Sequence, residues 1–304
     1  MLKRIKLLII LPLLVIASCS IQKWTMSKIT SSLANSDSSV FTGDDDPELI
    51  RDALPFTIKM YETLLTKDST NPQLFLATGK LLCLYAQGFV LFPADTLPDS
   101  LSAQKKAAGK RAKKLFLRGR EYIFRGLDLI HPQFSTQIKT GSVDSALQVI
   151  TQSDTAYLYW CAVSWMGAIA SDRSDLGLSM SMKKALALMT GLSSLNEAFG
   201  GGAINEFFCI FYSSAPKIMG GDTSAARIQL TKAITLSKDT RVSPFVTGAS
   251  FLSVKSKNRE EFESFLNKAL TVNVNSDPSQ RLQNTIYQQR ARWMLDNAES
   301  FFKE

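Results

Sequence analysis

The chain of 304 residues is poor in the side chains that build metal centres and nucleophilic active sites. It contains a single histidine, His131, and four cysteines, none of them in a Cys-x-x-Cys pair. We therefore expect no zinc site, no cofactor and no Ser-His-Asp or Cys-His catalysis. His131 precedes Pro132, so it fits better as the last residue of a helix than as a catalytic base.

The sequence also has little of the apolar–polar alternation that is typical of half-buried strands. Apolar residues instead recur at helical spacing, and proline or glycine clusters separate the segments. The pattern predicts an all-α fold of short antiparallel helical hairpins. The predicted helices lie near 47–67, 72–93, 102–131, 153–171, 175–190, 202–219, 222–238, 243–257, 258–272 and 278–302.

Long apolar runs are scarce, and the clearest one lies near the N-terminus. Three basic residues among the first six precede the apolar stretch Leu7–Ala17, which is followed by small residues. This stretch is shorter than the roughly 20 apolar residues that cross a bilayer. We interpret residues 1–18 as a secretory signal peptide and expect no later run to approach membrane length.

Cys19 stands at the predicted cleavage site. Ile16-Ala17-Ser18-Cys19 resembles a lipobox, the tetrapeptide in which bacterial lipoproteins receive a diacylglyceryl group on cysteine, with Ile in place of the usual Leu. We therefore predict a protein that faces the periplasm and is lipid-anchored to a membrane through Cys19. The inner and outer membranes both remain open, and the alternative is a plain signal peptide with an incidental cysteine.

The remaining cysteines, Cys83, Cys161 and Cys209, all lie in apolar surroundings. Three cysteines cannot all pair within one chain. We interpret them as buried free thiols that pack as small apolar residues, with one disulfide as the alternative.

The formal net charge is +8, and removal of the signal peptide would lower it by three. The densest basic run extends from Lys105 to Arg120. An exported protein is not expected to meet nucleic acid, so we interpret the run as the solvated or partner-facing side of a helix. Contact with an acidic partner or an anionic lipid is the sharper alternative.

Residues 19–45 are rich in Ser, Thr, Asn and Asp and are interpreted as a tether. The helical domain is predicted to span 46–304. Its first helix should have Asp46 as N-cap and Pro47 at the first helical position. A calcium site at Asp44-Asp45-Asp46 is a weaker alternative because further oxygen ligands are not evident.

Two segments resemble the second helix of a tetratricopeptide repeat, in which small residues let neighbouring helices approach closely. In the first, Gly221-Asp222 precedes Ala226, Leu230 and Ala233; the second carries Phe262, Leu266 and Ala269. Leu266 follows Leu230 by 36 residues, against an expected period of about 34. An ordinary helical bundle is the alternative.

The order of five further segments resembles one family, the T component associated with TRAP transporters, which is an exported lipoprotein built from tetratricopeptide-like helices. These segments are Asn71-Pro72 with Leu81-Leu82-Cys83-Leu84-Tyr85-Ala86, Ala112-Lys113-Lys114-Leu115-Phe116-Leu117-Arg118-Gly119, Tyr157-x-Tyr159-Trp160-x-Ala162-x-x-Trp165, Ala215-Pro216-x-x-Met219-Gly220-Gly221-Asp222, and Arg281-Leu282-x-Asn284.

This resemblance implies an accessory role in transport. In TRAP systems a periplasmic substrate-binding protein delivers a small ligand to an ion-driven permease, and the T component is expected to bind that protein. It also implies a homo-oligomer, for which a trimer is the expected form. A helical superhelix offers a concave surface or a channel, and Tyr157, Tyr159, Trp160 and Trp165 are candidate contacts for an apolar ligand. The competing interpretation is that these aromatic residues fill the core.

Two alternatives lie outside this family. Tetratricopeptide lipoproteins also serve as scaffolds for envelope assembly without any small ligand. An α-superhelical peptidoglycan lytic enzyme would need an acidic glutamate, and Glu206 lies in an apolar helix where loss of solvation disfavours the charged carboxylate. Nothing resembling a lytic domain surrounds Glu206, so we expect no enzyme; Glu206 is kept as a candidate ligand contact.

Overall fold

The computed structural model describes residues 39–303, which are helical throughout and contain no strand. The all-α prediction is confirmed. The signal peptide, Cys19 and most of the predicted tether lie outside the described residues. The helices are α1 (Ser39–Thr42), α2 (Pro47–Lys67), α3 (Pro72–Asp95), α4 (Ser102–Ile130), α5 (Phe134–Thr140), α6 (Val143–Gln148), α7 (Thr155–Ser171), α8 (Leu176–Met180), α9 (Met182–Leu195), α10 (Ala203–Ser214), α11 (Thr223–Ser237), α12 (Ser243–Thr247), α13 (Arg259–Thr271), α14 (Arg281–Asp296) and α15 (Ala298–Phe302).

Polar caps start several of these helices where the sequence predicts. The Asp46 carboxylate accepts hydrogen bonds from the backbone N–H groups of Glu48 and Leu49 at 3.0 and 3.1 Å. Asn71 and Asp222 cap α3 and α11 in the same way. No group of three or more metal-binding side chains occurs in residues 39–303, so the calcium alternative at the aspartate triplet gains no support.

Helix α3 continues two residues beyond Pro93, where the sequence predicts its end. A π-helical turn spans Ala86–Leu91, directly before the proline. A proline removes one backbone donor and clashes with the carbonyl four residues earlier. A wider π turn accommodates this defect without ending the helix, so α3 reaches Asp95.

The expectation that no later run approaches membrane length is wrong. Helix α3 is long and apolar enough to cross a membrane by length and composition, with a mean hydropathy of 1.6 over its most apolar stretch. Half of that stretch is buried in the protein. It packs against α2 and α4, as the core helix of a folded domain does.

Three local differences from the predicted helices have identifiable causes. Short helices α5 and α6 fill the predicted gap after His131, which ends α4 as expected. The segment 175–190 is divided at Ser181 and extends to Leu195. Helix α10 ends at Ser214 because Ala215 precedes a proline and adopts an extended conformation.

The N-terminal layer consists of α3, α4 and α7, which approach closely at glycines. A Cβ atom on Gly79 would lie 2.7 Å from the carbonyl oxygen of Gly119, and one on Gly167 would lie 2.8 Å from the Phe116 ring. Cys83 and Cys161 pack here as buried free thiols, as predicted, and Cys209 does so in the next layer.

The C-terminal layer consists of α10–α14. All the apolar positions that suggest the repeat are buried, namely Ala226, Leu230, Ala233, Phe262, Leu266 and Ala269. Helices α10 and α11 form one hairpin, and α13 packs on α14. The tetratricopeptide geometry itself stays a prediction.

The two ends of the described part of the chain meet because α14 returns to the first helices. Leu282 belongs to the same apolar cluster as Ile50 and Leu54 of α2. The Arg281 guanidinium donates to the Gly43 carbonyl oxygen at 3.2 Å. Arg290 forms an ion pair with Asp95 at 3.0 Å, so the end of α3 is joined to α14.

Candidate functional site

Helix α7 separates the four predicted aromatic ligand contacts into two pairs. Tyr157 and Trp165 are each 4% exposed and face the core. The Trp165 indole N–H donates to Ser181 Oγ at 2.7 Å, and the Arg120 guanidinium lies 4.5 Å from the indole centroid. These partners account for Trp165 as a packing residue, and Tyr157 is enclosed beside Gly126.

Tyr159 and Trp160 lie on the opposite face of α7 and keep partial exposure. Their rings form an edge-to-face pair with centroids 5.3 Å apart. Phe199, in the loop after α9, lies 5.2 Å from Tyr159, and Lys80 Nζ lies 5.8 Å from the Trp160 centroid. Of the predicted contacts on α7, this pair alone borders accessible space.

Glu206 on α10 is buried, and its carboxylate forms an ion pair with Arg241. Its Oε2 accepts from Arg241 Nη2 at 2.9 Å and from Ser243 Oγ at 2.8 Å. Its Oε1 accepts from Thr247 Oγ1 at 2.9 Å. Both carboxylate oxygens therefore have donors within the protein.

Arg241 is held by the loop that precedes α10. Its Nη1 donates to the carbonyl oxygens of Gly200 and Gly201 at 3.0 and 3.1 Å. Gly200, Gly201 and Gly202 all have positive φ, a conformation that glycine adopts without steric penalty. The glycine run thus turns its carbonyls toward the guanidinium, and Arg241 and Glu206 are each only 6% exposed.

Two tyrosines from other helices lie within the electrostatic influence of this ion pair. Burial raises the pKa of Tyr159 to about 12, with a smaller lowering by Arg241 and a smaller raising by Glu206. Burial and then Glu206 raise the pKa of Tyr287 on α14. We call Tyr159, Glu206, Arg241 and Tyr287 the interior cluster.

The interior cluster has two unpaired hydroxyl groups. Within residues 39–303, neither the Tyr159 nor the Tyr287 hydroxyl makes a hydrogen bond, and both side chains keep partial exposure. At neutral pH both phenols stay protonated, since their pKa values lie above the usual value of about 10. The cluster therefore offers two O–H donors beside a neutralised ion pair.

A groove of about 220 Å³ lies next to Tyr287, between the start of α2, the π turn of α3, and α14. Its aromatic lining includes Phe89, Phe92 and Trp293, and its charged lining includes Arg51 and Arg290. Phe92 makes an edge-to-face contact with Tyr287 at 5.1 Å. The contact between Phe92, which lines the groove, and Tyr287 therefore joins the groove to the interior cluster.

A second groove of about 300 Å³ lies between α11 and α13. Leu230, Ile234 and Phe265 form its apolar floor, and Arg227, Thr231 and Thr235 form its polar rim. We call it the α11–α13 groove. An apolar floor with a polar rim suits a helix or an extended segment of another protein.

Arg241 and Tyr287 are the cluster residues that sequence reasoning missed. Arg241 is the only charged residue between Asp239 and Lys255, in an otherwise uncharged stretch. Such an isolated arginine is a signal for a buried partner, although it does not identify Glu206, 35 residues earlier, as that partner. Tyr287 carries no comparable local signal.

Comparison with known proteins agrees with the resemblance read from the residues. An uncharacterized protein of Treponema pallidum (strain Nichols) is 28% identical to this chain, over 95% of the chain and 94% of the relative. The profile of the TRAP transporter T-component family matches residues 43–302, which include the whole interior cluster and both grooves. The chain therefore belongs to the TRAP transporter T-component family and is an accessory component of a transport system.

Proposed function

We propose that the protein is a lipid-anchored periplasmic component that binds the TRAP substrate-binding protein and holds a small, largely apolar ligand at the interior cluster. One observation carries the ligand proposal. Tyr159 and Tyr287 both keep accessible surface, and neither hydroxyl makes a hydrogen bond within residues 39–303. We infer that a ligand space lies beside these two phenols, between α7 and α14.

The chemistry of this space defines the ligand class. Trp160, Phe199 and Phe92 supply aromatic surface close to the two unpaired phenols. A ligand with an apolar body and one hydrogen-bond acceptor, such as a carboxylate or a carbonyl, would satisfy both donors. Glu206 and Arg241 neutralise each other, so the ligand needs no charge to pair with either side chain.

The ligand proposal is tested with the fluorophore anilinonaphthalene sulfonate, which combines an apolar aromatic body with a sulfonate that accepts hydrogen bonds. Replacement of both Tyr159 and Tyr287 by Phe should weaken its binding about thirtyfold, since each lost hydrogen bond contributes roughly 1 kcal/mol. Tyr157→Phe is the matched control because its hydroxyl is buried in the core without a partner. Equal affinity for all three proteins would contradict the assignment.

The α11–α13 groove is the surface that we assign to the substrate-binding protein. Thr231→Arg should obstruct the groove and reduce capture of that protein from envelope extracts. Thr136→Arg, on exposed α5, is the control. Recovery of outer-membrane assembly factors alone would overturn the transport assignment and favour the envelope scaffold.

The proposed anchor and oligomer have separate tests. Cys19→Ser should abolish lipid labelling and membrane retention while the helical body stays folded. A homo-oligomer, trimeric by analogy with the family, is supported by Leu49 and Phe56 of α2, which are 57% and 74% exposed and lie seven residues apart on one face. Phe56→Ser should lower the mass measured by light scattering if this face joins the subunits.

The lytic alternative has little structural support. A catalytic acid needs a proton to donate and access to substrate, whereas Glu206 is buried and accepts three hydrogen bonds. If Glu206→Gln abolished peptidoglycan release, the enzymatic alternative would be restored.

A further inference from the structure

The N-terminal half of α4 exposes four basic side chains without acidic partners. Lys106, Lys110, Arg111 and Lys114 are exposed and form no ion pair within residues 39–303. We call them the α4 basic face. Arg111 contacts only the neutral Tyr85 ring and hydroxyl.

The other cations of this half are neutralised by the protein. Lys105 pairs with Asp99, Lys113 with Asp172 and Asp175, and Arg118 with Glu62. The protein thus neutralises Lys105, Lys113 and Arg118, and leaves the α4 basic face without acidic partners. Residues 106, 110 and 114 lie four apart and so share one side of the helix.

The spacing of these charges on the helix is electrostatically unfavourable, because like charges four residues apart on a helix repel each other. Helix α4 has no acidic residue in its first turn, and its four uncompensated cations lie within the first 13 residues. An anionic surface outside the protein would reduce the repulsion between these cations.

The fold places this stripe at the end where the N-terminal segment joins the body. Gly79 of α3 lies against Gly119 of α4, and Phe75 lies against Gly126, so these helices are antiparallel. Pro47 and Thr96 line the same groove, which brings the start of α2 to the end of α3. Helix α4 begins six residues after Thr96, and its first 13 residues extend about 20 Å from that end.

The composition of the stripe favours a membrane over a protein partner. No large apolar side chain between residues 102 and 118 is strongly exposed, and the exposed residue between Lys106 and Lys110 is Ala107. Protein interfaces are depleted in lysine and depend on aromatic or apolar anchors. Lipid headgroup phosphates require only clustered positive charge at the surface.

We propose that the α4 basic face lies on anionic phospholipid headgroups and acts as a second membrane contact beside the lipid anchor. The proposal rests on the lipid-anchored role proposed above. A basic patch and acyl chains act together at a membrane, because each supplies part of the binding free energy. The contact would also orient the body, with the start of α2 and the first half of α4 toward the bilayer.

The test uses the chain from residue 19 with Cys19→Ser, so that no acyl group contributes; it contains the whole described body. Co-sedimentation is measured with vesicles of equimolar phosphatidylglycerol and phosphatidylcholine, and with phosphatidylcholine alone. We expect binding to the anionic vesicles only, weakened by added salt because surface charges are screened. Reversal of Lys106, Lys110 and Lys114 to Glu should lower the partition coefficient by at least about tenfold.

The matched control reverses Lys183, Lys217 and Lys268, which are exposed elsewhere and form no ion pair in the part of the chain that the structure describes. It changes the net charge equally, and we expect it to keep most of the vesicle binding. Circular dichroism verifies that both variants are folded. An equal loss in the control, or equal binding to phosphatidylcholine alone, would overturn the proposal.

Two further outcomes separate this proposal from its competitors. Loss of capture of an acidic protein by the α4 variant, with no vesicle binding by the parent, would overturn the membrane assignment in favour of a protein partner. Normal capture of the substrate-binding protein by the α4 variant, with vesicle binding lost, would support the α4 assignment and leave the transport role standing. Vesicle binding by the Cys19→Ser protein does not depend on lipid labelling. A failure of the predicted Cys19 anchor would therefore be detected separately, in the labelling experiment.

Discussion

The two helical layers achieve close packing by different means. In the N-terminal layer, α3, α4 and α7 meet at glycines, where Gly79 and Gly119 leave no room for a Cβ atom. In the C-terminal layer, α10 and the segment before α12 meet at the buried ion pair of Glu206 and Arg241. Asn284 adds two buried hydrogen bonds from α14, to the Val242 N–H and the Thr240 carbonyl.

The contrast shows where each layer permits change. An interface of glycines is rigid, because any added atom displaces backbone. An interface of directional polar contacts fixes a geometry, and the partly exposed Tyr159 and Tyr287 lie within the electrostatic influence of this one. The layer with polar contacts is therefore the one that borders the proposed ligand space.

Loss of the arginine in the buried ion pair should have the largest effect. Arg241→Met leaves Glu206 buried without its cation and should lower the free energy of unfolding by about 3–5 kcal/mol. Urea unfolding measures the change. Arg227→Met is the control, since its pair with Glu261 lies at the surface and should contribute about 1 kcal/mol or less.

A double variant distinguishes charge burial from simple packing. Replacing Glu206 by Leu in the Arg241→Met background removes the uncompensated charge and should recover part of the loss. If the two substitutions instead lowered the free energy of unfolding additively, the double variant would be less stable than Arg241→Met by the whole effect of losing Glu206. Additivity would show that the ion pair does not couple α10 to the segment before α12.

An added methyl group should test the glycine interface. Gly79→Ala places a Cβ atom 2.5 Å from Ile123 Cγ1 and 2.7 Å from the Gly119 oxygen. We expect a loss of about 1–3 kcal/mol in the free energy of unfolding by urea. Gly88→Ala, with 3.6 Å to the nearest side-chain atom, should be neutral or stabilising. Equal losses at both positions would show that close approach does not limit this interface.

The smallest effect concerns an ion pair that joins α4 to the segment before α8. The hydrogen bond from Lys113 lowers the pKa of Asp172 to about 2, below its ordinary 3.8. A carboxylate whose pKa is lowered in the folded state stabilises the protein at pH values above its ordinary pKa. This contribution is lost as the pH falls through the folded-state pKa. The difference in unfolding free energy between wild type and Lys113→Met should therefore be constant near neutral pH and shrink below about pH 4. A difference that is independent of pH would contradict this assignment.

Local chemistry made much of the fold predictable. Asp46-Pro47 and Asn71-Pro72 start helices because a side-chain cap and a proline at the first position act within a few residues. Pro93 misled the prediction because the preceding π turn is stabilised by its packing, which the sequence does not display locally. Helices α5 and α6 are too short for a periodic pattern to identify them.

The candidate site was only partly predictable for a similar reason. The aromatic run on α7 was visible, but its division depends on which face meets Phe124 and Ser181 and which meets Phe199. Glu206 was visible as an isolated carboxylate, whereas its partner Arg241 lies 35 residues away. Sequence patterns report neighbours along one helix and do not report pairings between helices.

Contact between the two ends of the described part of the chain changes how the molecule should unfold. In an open helical array each unit touches only its neighbours, so terminal units fray independently. Here residues 238 positions apart are joined by the hydrogen bond from Arg281 to Gly43, and residues 195 apart by the pair of Arg290 with Asp95. Opening of the first helices or of α14 therefore breaks contacts that join them. Hydrogen exchange should show both ends of the described part protected together as one cooperative unit.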